Sequence, residues 1–568
     1  MRCVTALALV AVLIRTGFAA DEPERERHST ANRRALAWAS PGGGPVPVLC
    51  CGGQAQTVAV PKTRYVKSPR MGVAALRAMR LPDVRVLAVE HREQGLDDYV
   101  MREERIFAGI SGSGRIRVPH VRLDGVIGGS IHFELLLPDD WNSRFVMGGG
   151  GGFVGRVINS ARFTVNHGFV TVGTDTGHQS PSVMNGDWAL NDVEAQLNFG
   201  YLAVHRTVEV AKAIIRIYYD SEPDYSYFIG CSRGGGQALM EAQRYPEDFD
   251  GIVSAAPALN WPGFTAAALH STQHLYPDPA NLNKPVLSRE DLQQLHAEVL
   301  RQCDGQDGVA DGILDDPRAC HFDLSRARGF TPAQREAIRA VYDGPGNKRG
   351  HIFPGIPPGA EGYPAGWYYW VTGPLPPSLI EEQNFPSVAF ALGTEFFRYF
   401  VFNDPAWDYS TYDFSTFETD THLLSTFLNS TNPDLSAFRE RNGKLILWHG
   451  WGDAILTAYA TIDYYEQVVQ RDPGHSDYVR MYLLPGVMHC LGGPGPDSVD
   501  WLSTIVDWVE HGRAPERLIA SKFDADGKVI MTRPLHPYPQ RTVYTGSGSV
   551  NDAQNFILRR AAEPDARP

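Results

Sequence analysis

The sequence of 568 residues predicts an α/β fold: a mostly parallel sheet covered by helices and broken by one long insertion. Three observations carry this expectation. Short apolar runs alternate with helical patterning from Ile131 to Ala256, the alternation is lost between about Leu259 and Phe438, and it returns at residues 444–448 and 479–484. A chain of this length exceeds what a single core fills, so two or three structural units are expected.

At the N-terminus, Arg2 precedes an apolar run from Val4 to Ile14, and Gly17, Ala19 and Ala20 follow before Asp21 and Glu22. A basic start, a short apolar run and small residues form the layout of a secretory signal peptide, expected over residues 1–19 and too short to span a bilayer. Its removal takes away Arg2 and Arg15 and moves the formal net charge from −13 to −15. An acidic chain without a Lys/Arg cluster excludes nucleic acid as partner. No other stretch approaches the ~18 apolar residues of a membrane helix, so a secreted or periplasmic protein without a membrane anchor is expected. Residues 20–70, with Pro41, Gly42, Gly43, Gly44 and Pro45, read as a linker arm.

The first part of the core is expected over residues 71–258. Residues 131–137 form a strand ended by Pro138 and Asp139, residues 144–147 a second strand running into five glycines (148–152), and residues 169–172 a third. Helical spacing of Leu202, His205, Val208 and Ala213 predicts a helix from about residue 198 to 218. A strand at 225–229, a helix through Ala238, Leu239 and Ala242, and a strand at 252–256 complete this half. Residues 259–438 are rich in aromatics and proline, with Tyr363, Trp367, Tyr368, Tyr369, Trp370, Phe396, Phe397, Tyr399 and Phe402. They are expected to form a lid, and residues 439–568 the second part of the core.

Within this frame Gly230-Cys231-Ser232-Arg233-Gly234 fits G-x-S-x-G, with a strand immediately before and a helix immediately after. The pentapeptide alone is as often a structural turn; at a strand-to-helix junction it exposes a serine on a sharp bend, so Ser232 is expected to be a nucleophile. A serine needs a base and an orienting acid. Asp453 lies just past the strand at 445–448 and His489 in the loop after the next strand, matching the order Ser, Asp, His of α/β-hydrolases. His449 competes as base but precedes the aspartate, and is read as a support for the loop. Acyl transfer also needs oxyanion donors, expected from the N–H of Arg233 and from the glycine run after an early strand.

Of seven cysteines, Cys3 leaves with the leader, and Cys50, Cys51, Cys231, Cys303, Cys320 and Cys490 remain, an even number that suggests disulfides. Asp304, Asp307 and Asp311, spaced by glycines, supply hard oxygen ligands of the kind calcium prefers. By spacing alone, which is not that of an EF-hand, an acidic turn fits equally well.

Cys231 before the serine, Cys490 after the histidine, Gly148 to Phe153, Thr174-Asp175-Thr176-Gly177-His178, Asp404 to Asp408, His449 to Asp453 and Pro485 to Cys490 together resemble the tannase and feruloyl esterase family, which includes mono(2-hydroxyethyl) terephthalate hydrolase. The resemblance implies a Ser232, Asp453 and His489 triad and an oxyanion hole of Gly152 and Arg233. It also implies disulfides Cys231–Cys490 and Cys303–Cys320. A structural Ca2+ would be held by Asp304, Asp307, Asp311 and the main-chain oxygens of Val309 and Ile313. The chain departs from the family in its adjacent Cys50 and Cys51 and in His536, where some relatives carry cysteine.

The function expected is a secreted serine carboxylesterase acting on small aromatic, hydroxycinnamoyl esters. Tannase and terephthalate monoester hydrolase are the alternatives; the latter needs a positive group for a free carboxylate, and none is assigned within residues 378–397. A catalytically inactive aromatic-ligand binding protein is the reading from another class.

Overall fold

Alternating apolar and polar positions build the edge of the main sheet, and continuous apolar runs build its centre. A computed structural model describes residues 66–93, 116–376, 385–524 and 526–559; the expected leader, most of the arm, and Cys50 and Cys51 lie outside the described residues. The strands in chain order are β1 (Val84–Arg92), β2 (His120–Ile127), β3 (Ile131–Pro138), β4 (Arg144–Gly148), β5 (Val170–Thr174), β6 (Tyr225–Cys231) and β7 (Gly251–Ala255). A two-residue hairpin, β8 (Gly346–Asn347) with β9 (Gly350–His351), sits in the insertion; β10 (Lys444–Gly450) and β11 (Val479–Leu484) follow it. The main sheet has nine strands in the order β1-β2-β3-β5-β4-β6-β7-β10-β11. From β5 to β11 neighbours run parallel, while β1, β2 and β3 form an antiparallel edge.

Every residue of β4 and β7 is buried, because helices cover both faces. One face carries Phe228, Ile252, Leu445 and Leu447 against the helices Ala203–Tyr219, Arg233–Arg244 and Ala458–Arg471. The other carries Tyr227, Val253 and Ile446 against Trp501, Ile505 and Trp508 of helix Trp501–His511. The two edge strands β1 and β2 have no counterpart in the sequence reading. In β1 only Val89 is fully buried and charged residues interrupt the alternation, so its apolar signal is weak.

The helix expected from residue 198 to 218 is present, but its first turn, Asn198–Leu202, is a π-turn leading into Ala203–Tyr219. A π-turn loosens the ladder of main-chain bonds locally, which side-chain periodicity does not report.

Residues between β7 and β10 are mainly helical: Trp261–Leu275, Arg289–Cys303, Pro332–Asp343, Val388–Glu395 and Phe417–Leu428. Their starts are written in the sequence. Ser288 with Asp291, and Thr331 with Gln334, form capping boxes, and Asn260 accepts from Gly263 N–H at 3.0 Å. Leu269, Leu295, Ile338, Trp367 and Phe396 of this segment form a core of their own, which reaches Phe153 and Ile455 at the sheet. After His511 the chain makes two separate two-stranded sheets, β12 (Leu518–Phe523) with β13 (Val529–Leu535), and β14 (Arg541–Tyr544) with β15 (Phe556–Arg559). Among the described residues no helix is long and apolar enough to cross a membrane.

Candidate active site

Ser232 sits between the end of β6 and helix Arg233–Arg244 with φ +62° and ψ −123°, a conformation a non-glycine residue adopts only when its surroundings impose it. They do so through main-chain bonds: Ser232 N–H donates to Ala255 O at 3.1 Å, and Gly236 and Ala258 N–H donate to Ser232 O at 3.1 and 2.9 Å. Glycine permits the tight bend. A Cβ on Gly230 would meet the carbonyl carbon of Gly234 at 2.5 Å, and one on Gly149 would meet Gly234 Cα at 2.5 Å. Ser232 occupies the helix N-cap position, yet its hydroxyl caps no backbone group.

The glycine run after β4 packs directly on this elbow. Gly234 N–H donates to Gly150 O at 2.8 Å, and Gly150 N–H to Gln237 Oε1 at 3.1 Å. Gly152 lies at φ +51° against Val183 O, where a Cβ would stand 2.4 Å away. The backbone N–H groups of Gly152 and Arg233 have no acceptor among the described residues. Phe153 O, the next carbonyl, faces His178 Nε2 at 2.9 Å, and burial pushes the His178 imidazole down to about 4. His178 is therefore a neutral donor holding the loop that carries Gly152, a residue noted in the sequence only as part of a motif.

Asp453 is fully buried at the end of β10. Its Oδ1 accepts from Ile455 and Leu456 N–H at 3.0 and 2.9 Å; its Oδ2 lies 2.6 Å from His489 Nδ1 and 3.1 Å from His449 Nε2. Burial opposes its charge, but His489 and His449 overcome that and hold the carboxyl well below the usual carboxylate range. Because a carboxylate only accepts, His489 presents an N–H at Nδ1 to Asp453, and its Nε2 has no hydrogen-bond partner among the described residues. In His449, Nε2 faces both Asp453 and Leu456 O, at 2.6 Å, and Nδ1 faces Thr461 Oγ1 at 2.9 Å. Both its ring nitrogens are occupied, so His449 orients Asp453 and has none free for a substrate.

The disulfide Cys231–Cys490, with Cα atoms 6.1 Å apart, joins the residue before Ser232 to the residue after His489. Two side chains 257 positions apart are thus held on adjoining loops. Ser232 Oγ and His489 make no hydrogen bond in this structure, a link that commonly closes only with substrate bound. Trp370, from the insertion, meets the His489 ring edge-on with centroids 4.7 Å apart. The Arg233 side chain points away from this site. It is buried over Phe199 at 4.2 Å and donates to Phe199 O and Gly200 O, carbonyls of the π-turn, with burial pushing the guanidinium down to about 9.

The acidic loop belongs to the insertion, and Ile313 at its end packs on Gly486 of the loop that carries His489. Cys303–Cys320 closes it as a disulfide, Cα atoms 5.2 Å apart. Asp304, Asp307 and Asp311 turn inward, accepting from the N–H groups of Gly312, Val309 and Ile313 at 2.9, 3.0 and 3.1 Å. Burial and the charge of Asp307 push the Asp315 carboxyl up to about 7, and Arg533 donates to Asp311 Oδ2 at 2.7 Å. The carbonyls of Val309 and Ile313 accept no hydrogen bond among the described residues. Neighbouring carboxylates with two free carbonyls are hard oxygen donors of the kind calcium takes, although here the three carboxylates do not converge to within 4.8 Å of one another and Arg533 holds one oxygen of Asp311.

A parallel sheet with a serine elbow, and an aspartate and histidine at the ends of the following strands, defines an α/β-hydrolase. The sequence profile of the tannase and feruloyl esterase family matches residues 124–558. The mono(2-hydroxyethyl) terephthalate hydrolase of Piscinibacter sakaiensis is 34% identical over 502 residues, 76% of this chain and 82% of that one. An uncharacterised esterase of Xanthomonas campestris is 34% identical over 490 residues, 77% and 84% of the two chains. The crystal structure of feruloyl esterase B from Aspergillus oryzae superposes with a TM-score of 0.72 at 25% identity, covering 86% of this chain and all of that one. The chain belongs to the tannase and feruloyl esterase family and is a carboxylic ester hydrolase of small ester substrates.

Proposed function

We propose that this enzyme cleaves aromatic esters by acyl transfer through Ser232, with His489 as base and Asp453 as the acid that orients it. The observation carrying this reading is the disulfide that seats His489, its Nε2 free, beside a strained serine with an uncommitted hydroxyl. His489 takes the Ser232 proton as Oγ attacks the ester carbonyl; the charge that develops on the carbonyl oxygen meets the N–H groups of Gly152 and Arg233. His489 then protonates the departing alcohol, and a water activated by the same imidazole releases the acid. Asp453 stays ionised throughout and stabilises the imidazolium.

Hydroxycinnamoyl esters are the substrates proposed. Trp370 against His489 places an aromatic wall at the base, and the insertion supplies further rings. Galloyl esters and terephthalate monoesters are the rivals. Arg398, the first arginine past residues 378–397, is 3.2 Å from the buried Glu395, so a substrate carboxylate has to compete for it. Initial rates on methyl ferulate, methyl gallate, chlorogenic acid and the terephthalate monoester rank these readings; a preference for the monoester overturns the first. Ser232→Ala is expected to reduce turnover of every ester by about a million-fold, and residual activity within tenfold of the parent refutes the mechanism.

Calcium in the acidic loop, with Asp304, Asp307, Asp311 and the carbonyls of Val309 and Ile313 as ligands, is part of this proposal. Bound there, it neutralises crowded carboxylates and supplies no chemistry to the ester. Export is likewise proposed, supported by the leader-like N-terminus and by two disulfides of the kind that persist in oxidising compartments.

A further inference from the structure

Helix Ala203–Tyr219 packs beside the nucleophile helix Arg233–Arg244, and behind the serine three side chains with metal-ligand chemistry converge. His205, Glu241 and Asp248 each offer one ligand atom, and the three atoms lie within 4.8 Å of one another. Glu241 is 1% exposed, and no N–H or hydroxyl donor reaches either carboxylate oxygen; without a cation, burial and the facing Asp248 carboxylate hold it protonated, sharing that proton with Asp248. Ionised, such a group is costly unless a counter-charge reaches it. The ammonium of Lys212 donates to the main-chain oxygen of Asp248 at 2.5 Å, so its charge acts on Glu241 and Asp248 but it makes no hydrogen bond to either carboxylate.

The remaining members are already oriented. The His205 ring lies flat on Tyr245, centroids 3.7 Å apart and planes within 5°, with Nδ1 2.7 Å from Asp248 Oδ2. Its other nitrogen faces Glu209 Oε2 at 3.7 Å, where a carboxylate can hold the far side of a ligating imidazole.

We propose that His205, Glu241 and Asp248 bind a divalent transition-metal cation, with zinc the best match. One imidazole and two carboxylates suit zinc, whereas calcium takes oxygen ligands alone. Zinc bonds of about 2.0–2.2 Å set two ligand atoms about 3.3 Å apart, so the His205 to Asp248 spacing of 2.7 Å opens by about half an ångström. The ion neutralises both carboxylates and gives the unpartnered oxygens of Glu241 their partner. Glu241 lies nine residues beyond Ser232, about 13 Å along the helix. The metal therefore clamps two helices of the core and takes no part in ester cleavage, so the inference stands independently of the proposed mechanism.

The test uses the full chain, stripped with chelator and returned to excess calcium so that the acidic loop keeps its own ion. Zinc is then titrated by calorimetry and by thermal unfolding. One zinc per chain is expected, with a Tm higher by several degrees. Glu241→Gln and His205→Gln should each weaken binding at least tenfold and abolish the rise, while ester hydrolysis without zinc stays unchanged. Glu241→Gln also guards against a folding defect: replacing a buried, unpartnered carboxylate by an amide should leave the zinc-free Tm equal to the parent's or higher. A parent that binds no zinc overturns the proposal, and so does zinc binding that both variants retain, since the ion then sits elsewhere.

Discussion

Asp453 Oδ2 serves two imidazoles at once, and their different remaining partners separate their roles. His449 uses both ring nitrogens within the protein, whereas His489 keeps Nε2 free. His449→Ala should therefore reduce kcat by about tenfold to hundredfold, the worth of one hydrogen bond to a charged group. His489→Ala should remove activity as completely as loss of the serine. Steady-state kinetics of the pair checks this, and equal losses overturn the division of roles. Chain order and flanking strands are what put Ser232, Asp453 and His489 forward as the proposed triad. The claim of His449 on the same carboxylate oxygen, and the grip of His178 on Phe153 O, could not be read that way: each depends on a side chain meeting an atom whose position follows only from the packed loops.

At the scale of elements, the bridge between the β6 elbow and the loop after β11 closes 259 residues of chain. On the chain-entropy account such a loop contributes about 5 kcal/mol, an upper figure that measured disulfides often miss. Paired Cys231→Ala and Cys490→Ala changes should lower both Tm and kcat. The kcat loss should persist when measured well below the variant's own Tm, because the bond also sets the approach of His489 to Ser232; a normal kcat there makes the bridge purely a stabiliser. Helix Trp261–Leu275 of the insertion carries a second testable group. Burial, helped by neighbouring His274, pushes the His270 imidazole down to about 4 from its ordinary 6.5. On acidification the unfolded chain takes this proton first, so the contribution of His270 to stability is complete above about pH 6.5 and is lost as pH falls towards 4. His270→Gln should narrow the Tm difference between pH 7 and pH 5; an unchanged difference refutes the assignment.

At the scale of the whole molecule, the acidic loop touches more than the insertion that contains it. Tyr363 Oη–H donates to Gly312 O at 2.9 Å within the insertion, while Arg533 of β13 and Arg541 of β14 reach Asp311 and Asp316 at 2.7 and 2.8 Å. Withdrawing calcium should thus loosen both the insertion and the C-terminal hairpins. Chelation is expected to lower Tm and raise KM while leaving kcat nearly unchanged, and no change in either Tm or KM refutes the site. Asp304→Asn is a cleaner test than Asp311→Ala, because truncating Asp311 also strands the Arg533 guanidinium.

From the residues alone came the parallel centre of the sheet, the interruption after β7, the elbow at Ser232 and the cysteines beside Ser232 and His489. These are local signals. Apolar runs, capping residues and glycines at a bend act within a few positions of themselves, so the chain states them directly. Tertiary structure decided the antiparallel edge, where the weak alternation of β1 becomes a strand only by pairing with β2, and β2 in turn with β3. It also decided the edge-on contact of Trp370 with His489, the sharing of Asp453 between two histidines, and the meeting of His205, Glu241 and Asp248. All of these join residues distant in sequence through packing, and pairwise geometry of that kind exists only once the whole chain has folded.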